Sequence, residues 1–436
     1  MLFASVCSWT ISAAYARQPP ANDNLEAAAA IDVSANGGVS GTLAGATQQA
    51  GELVSRSVWF TFTAPAAGRW VLDVTGDATE PELVVFVDQT PATPPSFDDL
   101  EEVGYVSPSG TFLSDDHVVL EAAAGTTYFV AVHGPEDGFN FAWRRAELSR
   151  VLWRHTSGAI TIWRVDDAGA IVSHQAYGPF DGWQAVKLVV DKDGDSRVLW
   201  RHANGHATLW QVDSSGAIVA NPVYGPYAGW TATDVAAAAF GFIHLAWTNT
   251  AGALAVWEMP IQANSILNSA AYGPYAGWQP LAIAVDGDVI RRTLWHSTTG
   301  AVGLWKEFWP YGTVSDFGLT GPFAGWAAID IAANDVDEST RVLWRHQTGA
   351  AAIWRQRHDG TLNTASFGPF AGWQPEAIAL SQETPHYQDA YSRVLWRHTN
   401  GAISLWKTGP TGALVKSFIF GPFAGWSVVD LAVGPE

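Results

Sequence analysis

Four Arg-His pairs, Arg154-His155, Arg201-His202, Arg345-His346 and Arg397-His398, each stand directly after a Leu-Trp dipeptide, and two further copies of the same place read Thr248-Asn249 and His296-Ser297. A guanidinium presents five N–H donors in a fixed fork, and a neutral imidazole presents one donor and one acceptor. Some twenty-five residues later comes a corner of the form Gly-Pro-aromatic-x-Gly-Trp, at 178–183, 225–230, 273–278, 321–326, 368–373 and 421–426. Its rings, among them Trp183, Tyr227, Trp230, Trp373 and Trp426, offer flat apolar faces. A flat ring beside convergent donors suits a ligand with a C–H face and hydroxyls, which is the chemistry of a sugar. The same residues also have a structural reading, with Arg covering a Trp face as a cation–π lid and His capping a turn. Four His on separate repeats are a poor match to one metal, since Zn–N bonds are only about 2.0–2.1 Å.

Asp191, Asp193 and Asp195 have the 1, 3, 5 spacing of a calcium loop, but the sixth position is not Gly and the twelfth is not Glu. A plain Asp-Gly hairpin turn is the simpler reading, and calcium is the one candidate ion. Asp98-Asp99, Glu101-Glu102 and Asp115-Asp116 form a second acidic stretch that reads as a solvated face. No HExxH, GxSxG nucleophile elbow, P-loop or repeated Asp box occurs. Catalysis is therefore not expected, and Trp309 with the divergent third and fourth copies is the only irregularity where a hydrolase site could stand.

The elements that position these residues follow from a repeat. Leu-Trp or a variant, ten residues, a second Trp, about twenty residues and Gly-Trp recur six times with a period of 47 to 52 residues. The first Trp of each copy is Trp153, Trp200, Trp247, Trp295, Trp344 and Trp396, and the second is Trp163, Trp210, Trp257, Trp305, Trp354 and Trp406. Each copy reads as four short strands. In 197–244 these are RVLWRH, HATLWQVD, AIVANPVYG and TATDVAAA, with a Gly five residues after the first Trp where a tight hairpin needs positive φ. Four strands per unit is a propeller blade. The first copy opens at the RVLW strand, and the chain finishes on SVVDLAVGPE, the strand that precedes RVLW elsewhere. The two chain ends are thus expected to complete one blade together and leave no open sheet edge. The two Trp of a copy are expected nearly opposite each other across the hairpin, as core.

The chain of 436 residues has 23 Lys plus Arg against 42 Asp plus Glu, a net charge of −19, which argues against nucleic acid or an anionic membrane as partner. Residues 1–149 carry −14 of that charge and the repeats −5, which points to two modules. Leu2 to Ala14 is apolar and runs into Ala14-Tyr15-Ala16, so residues 1–16 read as a signal peptide; no Lys or Arg precedes this apolar run, which leaves an internal start at Met1 and an ordinary buried N-terminal segment as the alternatives. The single Cys, Cys7, lies in that segment after Val6, without the small residue of a lipoprotein signal. The mature chain then has no cysteine, hence no disulfide and no thiolate site. No later stretch has the ~18 uninterrupted apolar residues of a membrane span. A secreted, periplasmic or cell-surface location is expected.

Residues 17–145 carry no Trp repeat and read as strands at 58–64, 69–75, 82–88, 117–122 and 127–134, an all-β, jelly-roll-like sandwich. PPANDN at 19–24, SGTLAGAT at 40–47, SVWFTFTAPAAGRW at 57–70 and AGTTYFVAVHG at 124–134 make this module resemble the bacterial pre-peptidase C-terminal domain. The resemblance implies an accessory, non-catalytic β-sandwich of secreted proteins, some of which bind calcium or polymeric substrates. EPELVVFVD at 80–88 departs from that family's Asp-Thr turn. The repeats of 148–436 are similar to the six-bladed fucose-binding lectins in blade count, repeat length and closing Gly-Trp, in architecture only. The resulting expectation is an all-β chain, a sandwich followed by a six-bladed propeller. It would bind glycans or extracellular polysaccharide at several rim sites through Arg154, His155, Arg201, His202, Arg345, His346, Arg397, His398 and the corner rings. A scaffold for a surface protein and a secreted polysaccharide hydrolase are the alternatives.

Overall fold

The computed structural model describes residues 17–33, 37–54, 56–65, 67–76, 81–88, 95–106, 117–238, 241–262, 265–286, 290–308, 313–333, 339–357, 360–381 and 391–436. The segment 1–16 with Cys7, the pair Asp115-Asp116 and Trp309 lie outside the described residues. The chain is all-β, and its described helical elements are two short 3-10 turns, Leu25–Ala27 and Phe97–Asp99. None of its described helices is long and apolar enough to cross a membrane. Contacts divide it into two compact units, Met1–Ala146 and Glu147–Glu436.

The first unit contains a five-stranded sheet, in order Ala29–Ala30, Ser57–Thr63, Thr127–His133, Glu82–Asp88 and Leu100–Val106, and a four-stranded sheet, Gly37–Thr42, Gly138–Arg145, Gly68–Gly76 and His117–Ala122. Alternate residues of both sheets meet in one core, with Phe60, Phe62, Leu83 and Val130 from the first and Trp70, Leu72, Phe139 and Phe141 from the second. Period-2 alternation is the physical reason Ser57–Thr63, Gly68–Gly76, Glu82–Asp88, His117–Ala122 and Thr127–His133 were legible as strands. Glu101 and Glu102 form part of an edge strand with both acids exposed, and Asp98-Asp99 lies in the 3-10 turn capped by Ser96.

The second unit is made of six antiparallel sheets, numbered here by repeat. In sheet 2 the order is Trp183–Val190, Ser196–His202, Ala207–Val212, then an outermost strand broken into Ile218–Ala220 and Val223–Tyr224. The break falls at Pro222, which has no N–H for the ladder. Sheets 3 to 6 repeat this order from inner strands Trp230–Ala238, Trp278–Val285, Trp326–Ala333 and Trp373–Ser381. Sheet 1 takes its inner strand from the other end of the chain, because Trp426–Pro435 pairs with Glu147–His155. The inner strands contact one another in repeat order, and Trp426–Pro435 touches both Trp373–Ser381 and Trp183–Val190.

The first Trp of every repeat is fully buried, with 0–2% exposure. The second Trp is not opposite it as expected: Val151 stands across from Trp163 and Val198 across from Trp210, so the two rings meet diagonally. Their centroids are 4.6–4.9 Å apart in all six sheets. The diagonal works because large rings reach neighbours that directly opposed small side chains do not.

Candidate functional site

The corner ring of each repeat packs edge-on against both Trp of the sheet it enters. Phe180 lies 5.6 Å from Trp200 and 5.1 Å from Trp210, and Tyr227 lies 5.2 Å from Trp247 and 5.4 Å from Trp257. Each corner ring still keeps 37–41% of its surface exposed, in Phe180, Tyr227, Tyr275, Phe323, Phe370 and Phe423 alike. Of these six equivalent rings, only Tyr227 had been singled out from the sequence.

The four His occupy a common structural place. Each ring packs on the corner Trp directly across the strand pair, Trp183 with His202 at 4.9 Å, Trp326 with His346 at 5.0 Å, Trp373 with His398 at 4.9 Å and Trp426 with His155 at 5.0 Å. Nδ1 accepts the N–H two residues on, from Ser157, Asn204, Thr348 and Asn400 at 3.1–3.3 Å, which puts the proton of the neutral ring on Nε2. In the two divergent copies the same turn is capped by Asn249 Oδ1, which accepts from Ala251 and Ala253, and by Ser297 Oγ, which accepts from Ala301. Capping is thus the task of this position in all six repeats. The second Gly of the corner is bound to it: at Gly182 φ is +75°, and an added Cβ would stand 2.4 Å from His202 Nε2. Any other residue there is strained and also displaces the imidazole.

Arg and His of one pair face different clefts, which the sequence order conceals. Neighbours on a strand point to opposite faces. Leu152, two residues before Arg154, packs with Val198 and Trp200 of sheet 2, and Leu199, two before Arg201, packs with Leu245 and Trp247 of sheet 3. The cleft between sheets 1 and 2 therefore combines Arg154 of one repeat with His202, Phe180, Trp183 and Trp210 of the next. The cleft between sheets 5 and 6 combines Arg345 with His398, Phe370, Trp373 and Trp406 by the same parity. By the same parity Arg201 shares the strand face of Leu199, whose cluster includes Trp230 of sheet 3, and Asn249 stands across from Trp230 in the His place.

The guanidinium groups differ in one respect. Arg397 is ion-paired to Glu376, with Nε 2.7 Å from Oε1. Glu376 is the extra residue of a β-bulge in the inner strand, between Pro375 and Ala377. The same bulge residue is Val429 in sheet 1, Val186 in sheet 2 and Ile329 in sheet 5. Arg154, Arg201 and Arg345 consequently have no hydrogen-bond or carboxylate partner among the described residues, although all three are half-buried. Burial, with Arg154 as a neighbouring positive charge, lowers the pKa of Arg201.

Where the inner strands meet, the residue after the bulge points inward and reads Lys187, Asp234, Ala282, Asp330, Ala377 and Asp430 around the sheets. Lys187 Nζ stands 3.2 Å from Asp330, 3.5 Å from Asp430 and 4.0 Å from Asp234. The other oxygen of each Asp accepts a backbone N–H of the following sheet, Asp430 from Leu188, Asp234 from Ile283 and Asp330 from Ile378, at 2.7–2.9 Å. Burial pushes Asp234 up to about 6 and Asp430 up to about 7 against the pull of Lys187, and the three carboxylates hold Lys187 well above its usual value. An aliphatic cavity of about 140 Å³ lies beside this cage. The sequence signal was present at the fourth residue after each corner Trp, but nothing in it showed that those six positions converge.

The Asp191 loop is a hydrogen-bonded turn. Asp191 Oδ1 accepts from the N–H of Asp193 and Asp195, Oδ2 accepts from Arg197 Nε at 2.7 Å, Asp193 pairs with Lys192 and Asp195 accepts from Gln211. Among the described residues no three His, Cys, Asp or Glu side chains group as a metal site.

No family model matches the chain, and no curated protein matches it. Many solved structures resemble it, and two of them show how low the identity is. One is a protein of unknown function from Bacteroides caccae, at 13% identity and TM-score 0.43 over 67% of this chain and 100% of that one. The other is SapL1 lectin in complex with alpha methyl fucoside, at 10% identity and TM-score 0.38 over 55% of this chain and 82% of that one.

Proposed function

We propose that residues from Glu147 onward form a six-bladed β-propeller closed by strand exchange between the chain ends, and that this unit binds glycans without catalysis. Pairing of Trp426–Pro435 with Glu147–His155 and the cyclic contacts of the inner strands support the architecture. In this reading the first unit is an accessory β-sandwich, supported by two sheets that share one core, and the chain is exported to the cell surface or beyond.

The observation that carries the binding function is the set of half-buried guanidinium groups, Arg154, Arg201 and Arg345, left without partners beside exposed corner rings. An unpaired cation held partly out of water costs stability, and a ligand whose hydroxyls accept its N–H groups recovers it. The exposed ring takes the ligand's C–H face. Spacing such grooves around a disc makes attachment to a polymer multivalent. A glycan array probed with residues 17–436 tests the function. Binding that is lost when Arg154, Arg201 and Arg345 are all replaced by Ala, in a protein that melts as the parent does, is the expected result. Silence on a broad array favours the protein-scaffold reading, to which exposed aliphatic pairs on the outermost strands, Ile171-Val172, Ile218-Val219 and Leu414-Val415, lend an observation.

A further inference from the structure

Two successive clefts of the repeat unit share one construction at the ends opposite the Arg-His residues, and they differ in the charges that line them. In each, a turn of the later sheet leans on the outer strands of the earlier one. The turn of sheet 1 is held by Asp166 Oδ1, which accepts from the N–H of Ala168 and Ala170, and the turn of sheet 2 by Asp213 Oδ1, which accepts from Ser215 and Ala217, all at 2.8–2.9 Å. The next residue is Asp167 in one and Ser214 in the other. Asp167 reaches into the cleft between sheets 6 and 1 and is held by Arg393 at 2.8 Å, Lys407 at 2.9 Å and Lys416 at 2.7 Å.

In the cleft between sheets 1 and 2, the positions that correspond to Arg393, Lys407 and Lys416 are Arg150, Arg164 and Ser173. Two of the three cations remain and the carboxylate is gone. Arg150 is fully buried and donates only to main-chain carbonyls, those of Leu148, Gly434, Gly194 and Pro435, while its Nε has no partner. Arg164 donates to the carbonyls of Ser214 and Asp213. Among the described residues neither guanidinium has a carboxylate within ion-pair distance. Burial and the charge of Arg164 lower Arg150 to about 9, against the more distant pull of Asp191, Glu147 and Glu436. Asp213 does not replace Asp167, because it has the same turn-capping task as Asp166.

The place of the missing carboxylate is open. A cavity of about 70 Å³ is walled by Arg164, Ser173, His174, Ser196 and Ser215. Ser196 is 1% exposed, and its hydroxyl has no partner. The equivalent cleft between sheets 5 and 6, where Pro410 takes the place of Asp167, has only about 10 Å³ left, room for no more than a water.

We propose that the cleft between sheets 1 and 2 is a binding site for the carboxylate of an acidic sugar residue. The ligand's carboxylate takes the position that Asp167 fills in the neighbouring cleft, opposite Arg164 and in the field of Arg150, where charge-assisted hydrogen bonds are strongest. Its hydroxyls lie along Ser173, His174, Ser196 and Ser215. The site is separate from the Arg154 groove, which lies at the other end of the same cleft.

The test is calorimetric titration of the intact protein with sodium galacturonate, with galactose as the uncharged analogue and sodium acetate as the bare carboxylate. Galacturonate is expected to bind at least about tenfold more tightly than either. Ser214→Asp supplies the chain's own carboxylate and is expected to abolish binding while melting no lower than the parent. Arg164→Gln is expected to abolish binding as well, and Arg154→Ala to leave it unchanged, which separates this site from the rim groove. Absence of galacturonate binding, an equal affinity for galactose, an affinity for acetate that matches galacturonate, or unchanged binding in both Ser214→Asp and Arg164→Gln would each overturn the assignment.

Discussion

The centre and the rim of the repeat unit use charge in opposite ways. At the centre Lys187 faces three carboxylates, and the second oxygen of each Asp accepts a backbone N–H of the next sheet. At the rim Arg154, Arg201 and Arg345 are half-buried without a counter-charge, while Arg397, at the same position of sheet 6, has Glu376. A buried charge that is compensated inside the fold belongs to the architecture. One that is partly desolvated and left uncompensated is where the proposed ligand would supply the missing partner. The single difference between Val186 and Glu376 at the bulge decides which condition an Arg is in.

The contrast can be broken or sharpened by substitution. The largest effect is expected at the centre, where Lys187→Met leaves three buried carboxylates without their cation and lowers stability by about 3–5 kcal/mol in urea unfolding. A loss below about 1 kcal/mol would mean that the cage is not the charge centre described. Trp200→Ala removes a fully buried ring from one repeat and is expected to cost about 3–5 kcal/mol, with Trp210→Ala, at the more exposed partner, costing less.

A titration sharpens the same point. Asp430 is raised to about 7 in the folded chain and has an ordinary value when unfolded, so the folded state holds a proton that the unfolded chain has already lost. Its contribution is therefore complete below about pH 4 and declines as pH rises to about 7. Stability of the parent relative to Asp430→Asn should fall across that window and then level off. A difference that stays flat with pH would show that burial does not raise this carboxyl.

Smaller effects are expected at the rim. His202→Ala loses a turn cap and is expected to cost about 1 kcal/mol, by analogy with other side-chain caps, whereas His202→Asn, with the precedent of Asn249, should be nearly neutral. Arg201→Ala should change stability by less than about 0.5 kcal/mol and act on ligand binding instead. Val186→Glu, which copies the Glu376 arrangement, is expected to silence the Arg201 groove without shortening any contact residue. Glycan binding by a Val186→Glu protein at parental strength would remove Arg201 from the site.

Much of the strand pattern was legible because each repeat writes its own period: the Trp spacing, the Gly at the hairpin and the Gly-Pro corner are local signals. In the first unit, Gly37–Thr42, Leu100–Val106 and Gly138–Arg145 escaped notice. Gly-rich or acid-rich edge strands such as GGVSGT and LEEVGYV lack the apolar alternation of a half-buried strand. The candidate rim residues were found by repetition, but their grouping was not. Adjacent residues on a strand face opposite ways, so Arg154 joins His202 rather than His155. Asp167, Asp234, Asp330 and Asp430 carried no motif, since each acts on residues of another sheet.

By itself the sequence determined the six-fold repetition, the strands of each sheet and the burial of the first Trp, because hydrophobic period and turn chemistry act within a few residues. The tertiary structure alone decided which charges meet. That outcome depends on which faces of successive sheets pack together, on a bulge that turns one side chain toward the centre, and on whether the residue at that bulge is Glu or Val.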